Sequence, residues 1–76
     1  MKAFAVRDVK AEGFNTPFFQ QTFGLAERSF TDAMADEKNP AARHKADYSL
    51  YYLGEFDQKT GIIHVEAEPK FICNAQ

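Results

Sequence analysis

Apolar and polar positions divide the chain into strand-like and helix-like segments. Alternation at the N-terminus predicts a strand in which Phe4 and Val6 point to the core. Turn residues then precede Phe18 and Phe19, which we expect in an extended segment that closes over the core. Thr22 to about Glu37 has helical spacing, with Thr22 as N-cap. The predicted apolar stripe of this helix consists of Phe23, Ala26, Phe30, Ala33 and Met34.

The second half of the chain predicts two further strands joined by a turn. In the strand from about Ser49 to Phe56, we expect Tyr51 and Leu53 on the core face. Gly54 is expected to mark a bulge or a close backbone approach that returns Phe56 to that face.

The turn and the third strand follow directly. Residues 57–61 have the chemistry of a tight turn closed by a left-handed glycine. In the strand from Ile62 to Glu68, alternate residues are expected to face in (Ile63, Val65, Ala67) and out (His64, Glu66, Glu68). Pro69 is expected to end it, after which residues 71–73 either form a short extra strand or lie along the sheet edge.

These elements predict an α+β fold of the β-α-β-β type, as one domain over residues 1–76. One helix would pack on a three-stranded, mostly antiparallel sheet, with a right-handed crossover between the first two strands. We expect the third strand in the middle. The uncovered sheet face would then present Leu50 and Tyr52 to a protein partner or a second copy.

Length and composition narrow the function classes. A chain of 76 residues with a single cysteine has no intrachain disulfide, so pooling two small cores in a homo-oligomer is a reasonable expectation. We expect no membrane association, because the sequence has no apolar run long enough to span a bilayer. The net charge of −2 argues against a dedicated DNA-coating protein, since such proteins usually have a basic excess.

Catalytic and metal chemistry find little support in the sequence. Cys73 lies three residues from the C-terminus, and no nucleophile motif surrounds any serine. His44, His64, Asp47 and Glu66 match no common metal-ligand spacing. We therefore expect no enzyme activity, no metal and no cofactor.

A local basic segment is the best candidate for nucleic-acid contact. Residues 38–45 hold Lys38, Arg43, His44 and Lys45 and contain no acidic residue. Tyr48 and Tyr52 follow closely enough to serve as stacking surfaces, because single-stranded DNA binding combines cations with aromatic platforms. Arg28, on the polar side of the predicted helix, is a weaker addition.

An ordered set of short motifs spans most of the chain and carries a family resemblance. The N-terminal part holds Lys2, Phe4, Pro17-Phe18-Phe19, Ala26, Arg28, Phe30 and Asp32. The C-terminal part holds His44, Asp47-Tyr48, Leu50, Leu53-Gly54, Phe56-Asp57 and Thr60-Gly61. Together they resemble the small nonstructural protein of gokushovirus-type microviruses, which are phages with single-stranded DNA genomes. Lys45 and Ala46 depart from the family pattern of Pro and Glu after the histidine, which makes this loop more basic.

The resemblance implies a non-enzymatic viral accessory protein that aids synthesis or packaging of single-stranded DNA. Its partners would be single-stranded DNA or the viral replication complex, in the cytoplasm of the infected bacterium and outside the virion. The alternative is a protein–protein adaptor or homo-oligomer that uses the exposed sheet face without touching DNA. The resemblance assigns no site residues.

Overall fold

The computed structural model describes residues 1–75 and has the expected α+β composition. A five-stranded antiparallel sheet is combined with one α-helix and one 3₁₀ helix. The elements are β1 (Lys2–Asp8), β2 (Gly13–Phe14), β3 (Phe18–Gln20), α1 (Phe23–Ala35), α2 (Pro40–Asp47, the 3₁₀ helix), β4 (Tyr48–Phe56) and β5 (Ile63–Asn74).

The strand order differs from the prediction. The sheet runs β2-β1-β4-β5, and β3 pairs with β1 beside β2. The strand expected second is therefore in the middle, and the predicted central position of the third strand is wrong. The expected right-handed crossover is also wrong, because that rule applies to parallel neighbours and β1 pairs antiparallel with β4. The long connection through both helices lets the chain return in the opposite direction.

Helix α1 forms where the apolar spacing predicts it. The Thr22 hydroxyl accepts a hydrogen bond from the Leu25 amide at 3.1 Å, which caps the first turn as expected. Ala26, Phe30 and Met34 are buried, whereas Ala33 is exposed. The buried stripe is thus narrower than predicted.

The core lies between α1 and one face of the sheet, and it settles which strand residues face the helix. Phe4 and Leu50 are fully buried there with the α1 stripe, and Val6 packs against them, as expected for β1. Tyr52 contacts the same cluster. The predicted orientation of β4 is therefore wrong by one residue: Leu50 and Tyr52 face the helix, and Tyr51 and its alternate neighbours face away. In a strand such a slip exchanges the two faces completely.

The C-terminal strand is longer than predicted. β5 continues past Pro69 to Asn74, so the expectation that Pro69 ends the strand is wrong. Because β5 is at the sheet edge, a residue without an amide proton is tolerated there. Ile63 and Val65 are 55% and 75% exposed and lie on the face opposite the helix, so the expected inward direction is also wrong.

The turn between β4 and β5 has the predicted form. Gly61 has φ 77° and donates its amide proton to the Asp57 carbonyl at 2.8 Å. Gly54 lies at a register shift between the two strands, as expected for a bulge. A Cβ on Gly54 would collide with the His64 carbonyl oxygen, which confirms the predicted close backbone approach.

Candidate nucleic-acid interface

Helix α2 presents the predicted basic residues from a fixed position. The Asn39 side chain accepts a hydrogen bond from the Ala41 amide at 3.1 Å and donates one to the Ala33 carbonyl at 2.9 Å. At the other end, the Val9 amide donates to the Asp47 carbonyl at 3.0 Å. The segment is thereby joined to the end of α1 and to the turn after β1.

Arg43 and Lys45 lie together beside the C-terminal end of α1. They line a shallow hollow of about 410 Å³ with Glu37 and Met34. Arg43 is exposed and Lys45 is half-buried. Glu37 reduces the positive potential of this hollow without forming an ion pair with either cation, as no such pair occurs among residues 1–75.

His44 and Tyr48 face a second hollow, of about 330 Å³, on the side toward the β1–β2 turn. Its other lining residues are Asp8, Lys10 and Asp47. Burial and the nearby Asp8 carboxylate raise the pKa of the Tyr48 phenol. The backbone of His44 departs from helical geometry, with φ −129° and ψ 41°, and this kink separates the directions of Arg43 and His44.

The other two predicted residues lie elsewhere. The Tyr52 ring packs against the rings of Phe4 and Phe23, with centroid distances of 5.6 and 5.0 Å. It is four residues along β4 from Tyr48, a separation of about 13 Å. Burial raises the pKa of Tyr52, and its hydroxyl lies 3.4 Å from a Glu55 carboxylate oxygen. Arg28 is exposed on α1, on the side opposite the buried stripe.

Lys10 is a member of this surface that the sequence reasoning missed. It follows β1 and reaches the His44 hollow because Asp8 pairs with Tyr48 across the sheet. Neither Lys10 nor Arg43 nor Lys45 is in an ion pair within residues 1–75, whereas Lys2 and Lys70 are each paired with a glutamate. We call Lys10, Arg43, His44, Lys45 and Tyr48 the basic end. Only the antiparallel pairing of β1 with β4 brings Lys10 close to His44. A correct prediction of that pairing would have added Lys10 to the candidate site.

The sheet face away from α1 forms a second, apolar surface. The rings of Phe14, Tyr51 and Phe71 follow one another across the sheet, with centroid distances of 5.3 and 5.8 Å. The Arg7 guanidinium lies over the Phe14 ring at 5.4 Å. Phe14 and Phe71 are 43% and 55% exposed, so the row is accessible.

The apolar surface continues toward the β4–β5 turn. Phe19 contacts the Phe56 ring at 5.8 Å and lines an apolar hollow of about 170 Å³ with Leu53, Ile63 and Val65. We call the whole surface the open sheet face. Its members are Phe14, Phe19, Tyr51, Leu53, Phe56, Ile63, Val65 and Phe71.

Other chemistry is sparse in the part of the chain that the structure describes. No group of His, Cys, Asp and Glu there is arranged to hold a metal ion. Cys73 is half-buried, and burial, with a smaller contribution from Glu27, raises the pKa of its thiol. Within residues 1–75, no helix is long and apolar enough to cross a membrane.

Comparison with known protein families identifies the origin of the chain. A family model described as Phage ORF5 protein matches residues 1–76, the whole sequence. The chain belongs to the Phage ORF5 protein family. No curated protein and no solved structure matches it significantly.

Membership of the Phage ORF5 protein family makes the chain a phage protein and fits the expected class of viral accessory protein. The family description names no ligand and no site residues. A role for the basic end or the open sheet face therefore depends on the charge, exposure and contacts of their residues.

Proposed function

We propose that this Phage ORF5 family member is a non-enzymatic accessory protein that helps a gokushovirus-type microvirus synthesise or package its single-stranded DNA. It contacts the DNA, or the replication complex on it, through the basic end. The observation that carries the proposal is the grouping of Lys10, Arg43 and Lys45 without ion pairs among residues 1–75. Cations that are already paired have less to gain from a phosphate.

The geometry of the basic end supports contact with a flexible strand. Arg43 and Lys45 border one hollow and Lys10 and His44 the other, so successive residues of α2 offer cations to two open hollows. Tyr48 lies in the second hollow, where a base could stack on its ring. The acids Glu37, Asp8 and Asp47 in the same hollows limit the affinity.

Binding of a labelled single-stranded oligonucleotide across a salt series tests the proposal. With about three phosphates neutralised, the logarithm of the binding constant should fall with the logarithm of salt concentration with a slope of about −2. Arg43→Gln should weaken binding several-fold and reduce the slope by about 0.7.

Lys59→Gln is the matched control, because it removes one positive charge from the turn at the other end of β4. It should bind like the wild type. No binding at low salt, or equal losses for both variants, would refute DNA contact through the basic end.

The proposal also places the protein in the cytoplasm of the infected bacterium and outside the virion. Mass spectrometry of lysed infected cells and of purified virions checks this point. The protein should be found in the first sample and not in the second. Copies in the virion at the level of a capsid component would contradict the nonstructural role.

A second candidate function is an adaptor that binds proteins and never touches DNA. The exposed apolar side chains of the open sheet face favour it, because large exposed apolar patches usually mark interaction sites. A pull-down from infected cells with and without nuclease separates the two functions. Viral proteins retained after nuclease treatment, with no oligonucleotide binding by the pure protein, support the adaptor.

A further inference from the structure

The open sheet face is a large exposed apolar patch of the kind that often marks an interaction site. Val65, Ile63 and Phe71 are 75%, 55% and 55% exposed, and Phe14 and Phe19 are each 43% exposed. An aromatic side chain has a surface of about 150–250 Å², so the exposed fractions of the three phenylalanines add up to roughly 300 Å². The two aliphatic residues add about 150 Å². The largest patches on typical monomers are about 300–600 Å² and are often functional.

We propose that a second copy of this chain covers the open sheet face, so that the protein is a face-to-face homodimer in solution. A standard interface buries about 800 Å² on each partner, and about two-thirds of a homodimer interface is apolar. The apolar area exposed here is therefore close to what one partner of such a dimer contributes. Two sheets packed in this way would form a sandwich with layers about 10 Å apart.

The charges of the face fit self-association better than nucleic-acid binding. Among the paired residues of β1 and β4, Arg7 is the charged residue on the open sheet face. Its guanidinium already lies over the Phe14 ring. One cation cannot follow a phosphate backbone, which needs several. Val65, the most exposed member, is aliphatic and provides no ring on which a base could stack.

The small core also favours a second copy as the occupant. Phe4 and Leu50 are the only large side chains that are fully buried among residues 1–75. The sequence has a single cysteine and so no intrachain disulfide, and chains of this size commonly need an additional source of stability. A dimer would convert the open face into a second core layer. A net charge of −2 per chain gives little repulsion between copies.

The dimer and DNA binding at the basic end are independent. The basic end lies at the α2 side of the sheet, whereas the most exposed part of the open face, around Ile63 and Val65, is near the β4–β5 turn. Failure of one proposal leaves the other in place.

The molar mass in solution, measured by light scattering and by sedimentation equilibrium, tests the dimer. The wild type should have twice the 8.6 kDa of one chain at micromolar concentration. Val65→Glu should weaken self-association about a hundredfold or more, because it would bury an unpaired carboxylate in the interface. Since Val65 is three-quarters exposed in one chain, the variant should keep its fold.

Leu25→Glu is the matched control, because Leu25 is 37% exposed on α1 and the substitution makes the same change of charge. It should remain a dimer. A wild type that stays monomeric at high concentration, or a dimer that Val65→Glu leaves intact, would overturn the proposal. A monomer whose oligonucleotide binding is lost in Val65→Glu would assign the face to nucleic acid instead and would also overturn it.

Discussion

Substitution of Gly54 by alanine should be one of the most damaging small changes in this protein. Gly54 has φ 153°, which L-residues rarely adopt, and a Cβ there would lie 2.9 Å from the Val65 Cα and closer still to the His64 carbonyl oxygen. The backbone strain costs about 1–3 kcal/mol. Forced separation of β4 and β5 adds about 1–3 kcal/mol.

The sum of these two costs is a large fraction of the stability of such a chain. At 0.05–0.15 kcal/mol per residue, the free energy of unfolding is roughly 4–11 kcal/mol. Urea denaturation followed by circular dichroism measures the change. With a slope of about 1 kcal/mol per molar urea, the midpoint for Gly54→Ala should fall by about 2 M or more.

Gly24→Ala is the matched control with the opposite expected sign. Gly24 is exposed in the first turn of α1, and a Cβ there would meet only the Thr22 hydroxyl, at an ordinary contact distance of 3.9 Å. The same glycine-to-alanine change should stabilise the helix by less than about 0.5 kcal/mol, because Gly24 is the second residue of α1 and the full cost of glycine applies to a helix interior. A Gly54→Ala variant as stable as the wild type would refute the close packing of β4 against β5.

Three further variants test the core, the helix cap and the ion pair. Leu50→Ala should cost about 2–5 kcal/mol in urea denaturation, because Leu50 is fully buried against α1; a loss below about 1 kcal/mol would contradict its place in the core. Thr22→Ala should destabilise the protein by about 1 kcal/mol in thermal melts, whereas Thr31→Ala, exposed within α1, should have little effect; equal effects would count against the cap. The Lys2 hydrogen bond lowers the pKa of Glu55 below 4.5, so its stabilisation is present above that value and is lost as the pH falls through the lowered pKa. Glu55→Gln should flatten the fall of the urea midpoint as the pH is lowered below 4.5, and an unchanged pH profile would exclude this contribution.

Local features of the fold were predictable from the sequence because neighbouring residues determine them. The Thr22 cap, the buried Phe30 and Met34 and the left-handed Gly61 depend on spacing and turn chemistry within a few positions. Phe4 could be assigned to the core because the large residues Phe4 and Val6 alternate with small alanines, as in a strand.

Features that depend on strand pairing were not predictable in the same way. Both Leu50 and Tyr51 are apolar or aromatic, so alternation along β4 does not show which one faces the helix. The pairing of β1 with β4 decides it, by placing Leu50 opposite Val6 on the helix side. The same ambiguity assigned the wrong residues, Leu50 and Tyr52, to the uncovered sheet face. The fold packs Tyr52 against the core, away from the basic residues with which it had been grouped.

The candidate site was predicted in part. The acid-free run placed Arg43 and Lys45 on one segment, which the structure forms as α2, but it could not show that Glu37 lies beside them. Lys10 is more than thirty positions away in sequence and joins the basic end only through the fold.

Titration of a single-stranded oligonucleotide into the isotope-labelled protein, followed by amide chemical shifts, tests the central claim most directly. The account predicts that the shifts concentrate at Lys10 and at residues 43–48 and saturate with increasing DNA. Shifts concentrated instead at Tyr51, Val65 and Phe71, or no shifts at low salt, would contradict it.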